Sequence, residues 1–150
     1  MKIRSKIFLS LVGIAAMSVL SNCTQSGGNN DSAATATESD PMKDKGIGPV
    51  TSLTLGVIDT TMAAEGKTIY NSKCTACHNP TQKLIGPPQK GVLDRRTPEW
   101  TMNMILNPQE MLDKDPIAQK LLKEFNNVPM TNQNLSQEDA RKVLEYLRLL

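Results

Sequence analysis

A small all-α domain of near a hundred residues, preceded by about fifty that do not fold with it, is the architecture that the sequence predicts. Three observations carry that prediction. Toward the end, Ala140, Val143, Leu144 and Leu147 recur at i, i+3, i+4 and i+7, the spacing of one buried helix face. In the middle, Thr97-Pro98 and Asp115-Pro116 are helix openings, a capping oxygen followed by a proline at the first helical position. Nowhere do β-branched residues gather into a run that reads as strand, and no internal repeat appears.

At the start of the 150 residues, Lys2, Arg4 and Lys6 precede an apolar run from Ile7 to Leu20, broken only by serines and Gly13. This is a signal-peptide layout over residues 1–22, too short to favour a spanning helix. It closes on Leu20-Ser21-Asn22-Cys23, which resembles the lipobox of bacterial lipoproteins, so that Cys23 is the expected lipidated first residue of the mature chain. Asn22 departs from the Gly, Ala or Ser usual there, and the alternative is an ordinary secretory signal with Cys23 unmodified. From residue 24 to 48 the chain is Ser, Thr, Asn, Gly, Ala and Asp with almost nothing apolar to bury, which reads as a flexible tether from Cys23. A coil of about 25 residues has a root-mean-square span of roughly 25–30 Å.

Loss of the signal removes three basic residues and no acid, taking 17 Lys+Arg to 14 against 15 Asp+Glu, a formal charge of −1 with histidine neutral. No basic surplus remains to suit nucleic acid. The folding domain is placed at residues 49–150. It holds one Phe and one Trp, a thin core for its size.

Within the domain, Val50 to Ile58 alternates apolar residues with threonines and reads as an extended arm lying on the fold. Asp59-Thr60-Thr61 offer capping oxygens for a helix from about Met62 to Ser72. Gly66 interrupts it at a cost of up to about 1 kcal/mol relative to alanine, which a close backbone crossing would explain. Tyr70 lies one turn further along the same face.

That helix leads into Cys74-Thr75-Ala76-Cys77-His78, which contains the only histidine of the chain. Two thiols spaced by two residues and followed by an imidazole form the c-type haem attachment pattern. The thiols add across the two porphyrin vinyl groups, and the imidazole falls under the iron as one axial ligand. A structural zinc site is excluded because neither a second Cys pair nor a second histidine exists. A thioredoxin-like dithiol would need a βαβ context, which is missing. One such pattern implies one covalent haem c, whose apolar surface would complete the thin core and make folding haem-dependent.

After the motif comes Ile85-Gly86-Pro87-Pro88-Gln89-Lys90-Gly91-Val92, then a helix from Thr97-Pro98-Glu99-Trp100 that Pro108 stops. Asp115-Pro116 opens another, with Ile117, Ala118, Leu121, Leu122 and Phe125 as its apolar stripe and Asn126-Asn127 as its end. The last helix begins at Ser136-Gln137-Glu138-Asp139, a capping box with Asp in the reciprocal place, and Leu135 is placed to staple onto Ala140. It is expected to run to the terminus.

The Gly66-x-x-x-Tyr70 helix leading into the haem motif and the terminal Leu144-Glu145-Tyr146-Leu147-Arg148 helix together resemble the crossed first and last helices of small class I cytochromes c. The resemblance implies the cytochrome c fold, with Gly66 and Tyr70 meeting the Leu144 to Leu147 face. Gly86-Pro87 matches the family's Gly-Pro-x-x-x-Gly loop, where the proline contacts the proximal imidazole and its carbonyl accepts the other ring N–H, so Pro87 is the implied partner of His78; the alternative is a plain proline turn. It also implies that Trp100, with Arg95 or Arg96, lies near a haem propionate, against the alternative that Trp100 fills core.

Candidates for the sixth iron ligand are Met102, Met104, Met111 and Met130. The first three sit in helical patterns, where methionine is more often core filling. Met130 sits in a loop before the last helix, the position of the family's distal methionine, although here the proline precedes the methionine where the family has Met-Pro. Met111 is the next candidate.

His/Met ligation, with the anchor expected at Cys23, implies a membrane-tethered, periplasm-facing electron carrier that passes single electrons between redox protein partners, with no small-molecule substrate and no catalysis of its own. The alternative is a five-coordinate haem enzyme or gas sensor with an open distal site. Five of the six basic residues Lys67, Lys73, Lys83, Lys90, Arg95 and Arg96 have no adjacent acid, forming either a docking rim or a solvated face. The stretch from Asn127 to Leu135 is similar to small cytochromes associated with nitrous oxide reduction.

Overall fold

The computed structural model describes residues 40–150. The expected signal peptide, Cys23 and the tether as far as residue 39 lie outside the described residues. Among the described residues there are five α-helices, one 3-10 turn and no strand.

The first helix, α1 (Thr60–Lys73), begins where Asp59 accepts the backbone N–H of Met62 at 2.9 Å. The second, α2 (Pro98–Leu106), is capped by Thr97, which accepts from Trp100 N–H at 3.0 Å. Pro108 does end that helix, but it also begins α3 (Pro108–Lys114), a helix the sequence does not announce. A proline needs no N–H in a first turn, so the residue that stops one helix starts the next. Asp115 caps α4 (Pro116–Glu124) through Ala118 N–H at 2.7 Å. The chain then leaves α4 through Asn126 and Asn127, both at φ near +58° (59° and 57°), a conformation asparagine tolerates better than most residues. The capping box is present at α5 (Gln137–Leu147). Asp139 N–H donates to Ser136 Oγ at 3.0 Å, and Ser136 Oγ–H returns to the Asp139 carboxylate at 2.8 Å. It stops at Leu147, short of the terminus.

Two apolar clusters hold these elements together. The larger joins Tyr70 of α1, Met102 and Ile105 of α2, and Ala140, Val143, Leu144 and Leu147 of α5. The smaller joins Trp100 of α2 to Met111 and Leu112 of α3 and to Ile117 and Ala118 of α4. Helix α2 therefore feeds both, which is why almost its whole surface is covered.

Helices α1 and α5 cross at Gly66. A Cβ there would overlap the carbonyl of Lys142 and lie 2.9 Å from the backbone nitrogen of Val143. Only a hydrogen fits between the two backbones, and this is the close crossing that the interrupting glycine predicts. Along the same face, Tyr70 and Tyr146 meet with ring centroids 5.3 Å apart and a tilt of 58°.

Residues 40–59 form a strap across α2. The polar side chains of that helix hold it. Asn103, only 1% exposed, accepts Val50 N–H at 2.9 Å and donates to the carbonyls of Val50 and Lys45, both at 2.9 Å. Thr97 Oγ–H donates to Asp44 O, Asn107 to Ile47 O at 3.3 Å, and Glu99 accepts Leu53 N–H at 3.1 Å. Ile47 packs on the smaller cluster and Leu53 and Leu55 on the larger. The arm expected from Val50 to Ile58 is present, and the packing extends further back than the domain start at residue 49: the last nine residues of the expected tether lie on the fold. Their sequence hides this because backbone groups, not apolar side chains, make most of the contacts.

Candidate haem site

The site grows out of the end of α1. Cys74 N–H closes the helix onto Tyr70 O at 2.9 Å, and the Cys74 carbonyl then accepts from both Cys77 N–H at 3.1 Å and His78 N–H at 2.8 Å. The pentapeptide is thus one tight turn whose backbone is satisfied internally. Its thiols are free, Cys74 half-buried against the larger cluster and Cys77 exposed. Burial, reinforced by the neighbouring Cys77, pushes the Cys74 thiol up to about 11.

The imidazole of His78 is held from two sides. Its Nδ1 lies 3.0 Å from the Pro87 carbonyl, the partner expected for it. Gly86 lies flat against the ring, where a Cβ would come within 2.8 Å of Nδ1 and 3.1 Å of Nε2. This close approach is why the proline must be preceded by glycine. Gly86 N–H returns to Cys77 O at 2.8 Å, and Lys90 N–H to Pro80 O at 2.7 Å, tying the loop to the turn that carries the cysteines. A further residue reaches the ring: Gln89 Nε2 lies 2.8 Å from His78 Nδ1 and 2.9 Å from Pro87 O. Nothing in the sequence marks Gln89 except its place in the loop.

Three of the expected site residues have partners within the protein. Arg95 places its guanidinium on three loop carbonyls, those of Lys90 and Gly91 at 2.9 Å and of Pro88 at 3.1 Å. It therefore clamps the loop that supports His78. The indole N–H of Trp100 donates to the buried carboxylate of Asp115 at 3.2 Å, and Arg96 stacks over the same ring at 5.3 Å from its centroid. Trp100 fills the smaller core, and its donor is spent there. The bonds of Trp100 join residues fifteen apart, which no local pattern reveals.

The methionines also separate. Met111 is fully buried in the smaller cluster and its sulfur accepts Ile47 N–H at 2.9 Å. Met102 is sealed in the larger cluster, and Met104 packs on the smaller one. Met130 is half-buried at the edge of the larger cluster, the cluster that Cys74 also borders. Its loop is fastened by Asn132, which donates to Leu106 O at 3.3 Å and accepts Asn134 N–H at 2.7 Å. Of the six basic residues, Lys67, Lys73, Lys83 and Lys90 are exposed, Lys83 with its ammonium over the Phe125 ring at 4.3 Å.

Adjacent free thiols on one turn, an imidazole with one nitrogen fixed and a surrounding apolar cluster suit a covalently attached haem c. Cys74, Cys77 and His78 would hold it, and the haem supplies a reversible one-electron centre.

Comparison with known proteins gives the same direction. Residues 63–150 match the family model described as cytochrome c. The cytochrome c from Rhodothermus marinus is 41% identical, with 73% of this chain and 96% of that one covered at a TM-score of 0.69. An engineered cytochrome c from the same organism, bound to a carbene intermediate, is also 41% identical, covering 68% and 88% at 0.63. The cytochrome c domain of a Pseudomonas putida protein is 29% identical, covering 56% and 85% at 0.52. Among curated proteins none matches.

Proposed function

The chain belongs to the cytochrome c family, and from that membership we propose that it is a membrane-tethered carrier of single electrons whose one haem c is bound by Cys74 and Cys77 and ligated by His78 and Met130. The family's haem is covalent and its chemistry is electron transfer between redox proteins. What is proposed for this chain is the ligand pair, the anchor and the partners.

The observation that carries the reading is the contrast among the sulfurs. Met111 has its sulfur engaged by Ile47 N–H and Met102 is enclosed, whereas Met130 stands half-buried at the rim of the cluster that Cys74 borders. Thioether ligation favours ferrous iron and a raised potential, as does an apolar surround that penalises net charge. The ferric holoprotein is therefore expected to show the weak near-infrared band of iron bound to a thioether sulfur. In Met130→Ala the band disappears and the ferrous form binds carbon monoxide. Wild-type protein that lacks the band and binds carbon monoxide would instead be an open-site haem enzyme or sensor. A band that persists in Met130→Ala moves the ligand to another methionine.

The proposed anchor rests on Leu20-Ser21-Asn22-Cys23 alone, and the proposed location is the periplasmic side of a bacterial membrane. Mass spectrometry of the membrane-extracted protein should find Cys23 as the first residue carrying acyl mass; another N-terminus, or no acyl mass, refutes the anchor. The proposed electron acceptor is a terminal reductase, on the likeness of the Asn127 to Leu135 stretch to cytochromes of nitrous oxide reduction.

A further inference from the structure

Three polar groups form a triangle behind the proximal imidazole. His78 Nδ1 is 3.0 Å from Pro87 O and 2.8 Å from Gln89 Nε2, and the third side, Gln89 Nε2 to Pro87 O, is 2.9 Å. The backbone around Gln89 is fixed, since its N–H donates to Asn79 O at 3.3 Å and its carbonyl accepts Val92 N–H at 3.0 Å. Arg95 clamps the carbonyls of Pro88 and Lys90 on either side of it. The amide is therefore a built neighbour of the ring.

Its consequence follows from proton bookkeeping. With Nδ1 in the triangle, Nε2 is the nitrogen left for iron, and a neutral imidazole bound through Nε2 has its proton on Nδ1. The Nδ1–H and the amide N–H are then both donors and cannot bond to each other. Only the Pro87 carbonyl can accept from them, so it must serve both. An oxygen that already accepts one N–H attracts the second less strongly. The Nδ1–H bond of His78 is then less polarised, and the imidazole gives less electron density to the metal.

We infer that Gln89 is a positioning residue that sets the donor strength of His78, its amide competing for the Pro87 carbonyl and so holding the reduction potential of the iron up. The inference rests on His78 being the axial ligand. It adds that a residue acting behind the ring, through a shared acceptor, tunes the metal.

The test compares holoprotein of wild type, Gln89→Leu and Gln89→Glu at neutral pH. Leucine keeps bulk and removes the donor; glutamate keeps shape and offers an acceptor in place of a donor, so one variant stands in if the other folds poorly. Both should lower the potential, glutamate more than leucine. For Gln89→Leu the reduced-to-oxidised ratio at fixed ambient potential should fall by about threefold, the scale of one modest hydrogen bond. In the ferrous proton NMR spectrum the His78 Nδ1–H signal should move downfield as its bond to Pro87 O shortens. An unchanged or raised potential overturns the proposal. A lowered potential with an unmoved Nδ1–H signal also overturns it, because solvent access then explains the change. The same spectra separate the two levels of inference. If the His78 ring protons lack the ring-current shift of an axial ligand, the ligand assignment fails and the Gln89 proposal with it; if the shift is present and the potential does not respond, only the Gln89 proposal fails.

Discussion

Gly66→Ala should cost the holoprotein about 3 kcal/mol or more, a large fraction of the stability of a domain this size. On helix propensity alone the substitution should stabilise α1, by up to about 1 kcal/mol. The sign is reversed by what lies opposite. The added Cβ would meet the Lys142 carbonyl and the Val143 nitrogen, and these are backbone atoms of α5 that cannot rotate away as a side chain could. Relief requires the helices to separate, which loosens Tyr70 from Tyr146 and opens the larger cluster along Val143 and Leu144. Since α1 ends in the turn that carries Cys74, the same separation displaces the site. Urea unfolding of the holoprotein, followed by helical signal, measures the loss. Stability equal to or above wild type would show that the crossing is not the tight contact described.

The second large effect is expected at Glu145. Its side chain is fully buried, yet it accepts from Asp59 N–H at 2.9 Å, from Arg148 at 2.6 Å and from Arg141. It thereby joins the last helix to the start of the first, and Arg148 extends the network to Gly56 O at 2.8 Å. Removing the carboxylate leaves a backbone N–H and two guanidinium groups without their acceptor. Loss of one partner from a buried ionic network costs about 3–5 kcal/mol, and Glu145→Ala should fall near the lower figure because both arginines are partly solvated. Burial by itself would raise the Glu145 pKa, but the hydrogen bonds from Arg141, Arg148 and the Asp59 N–H outweigh it, and the group titrates below the ordinary value of 4.5. A carboxyl whose folded pKa is depressed contributes stability that is fully present above its unfolded value and is lost as pH falls through the folded one. The wild type should therefore weaken below about pH 4.5, and Glu145→Gln should show a shallower dependence there. Denaturant midpoints across that range test both statements. Parallel acid profiles for the two proteins would remove Glu145 from the account.

The comparison of sequence with structure divides by distance along the chain. Each helix start that the sequence predicts is present because a cap is a local device. Asp59, Thr97, Asp115 and Ser136 each bind a nitrogen three residues away. The crossing glycine was legible for the same kind of reason, since a helix interior tolerates glycine poorly without cause. The haem pentapeptide and the Gly86-Pro87 loop were legible as patterns, and His78 does meet Pro87 O. What escaped is long-range and polar. Glu145 sits beside an apolar stripe and reads as a solvated position, and only the Asp59 N–H, 86 residues away, together with the arginines makes it interior. Asn103 looks like an ordinary polar helix residue until the strap is laid across it. Trp100 and Arg95 likewise bond to Asp115 and to loop carbonyls that nothing in the sequence beside them announces.

The strap also has a mechanical consequence. A pull transmitted along the chain from ahead of residue 40 would load the hydrogen bonds at Asp44, Lys45, Ile47, Val50 and Leu53 before it reached Asp59 and α1. Those bonds end on α2, not on the helix that carries the cysteines. They would yield one after another, each absorbing part of the load, while the turn holding Cys74, Cys77 and His78 stays slack. The segment acts as strain relief for the domain, so that a pull from that side leaves the turn with the cysteines and His78 unstretched.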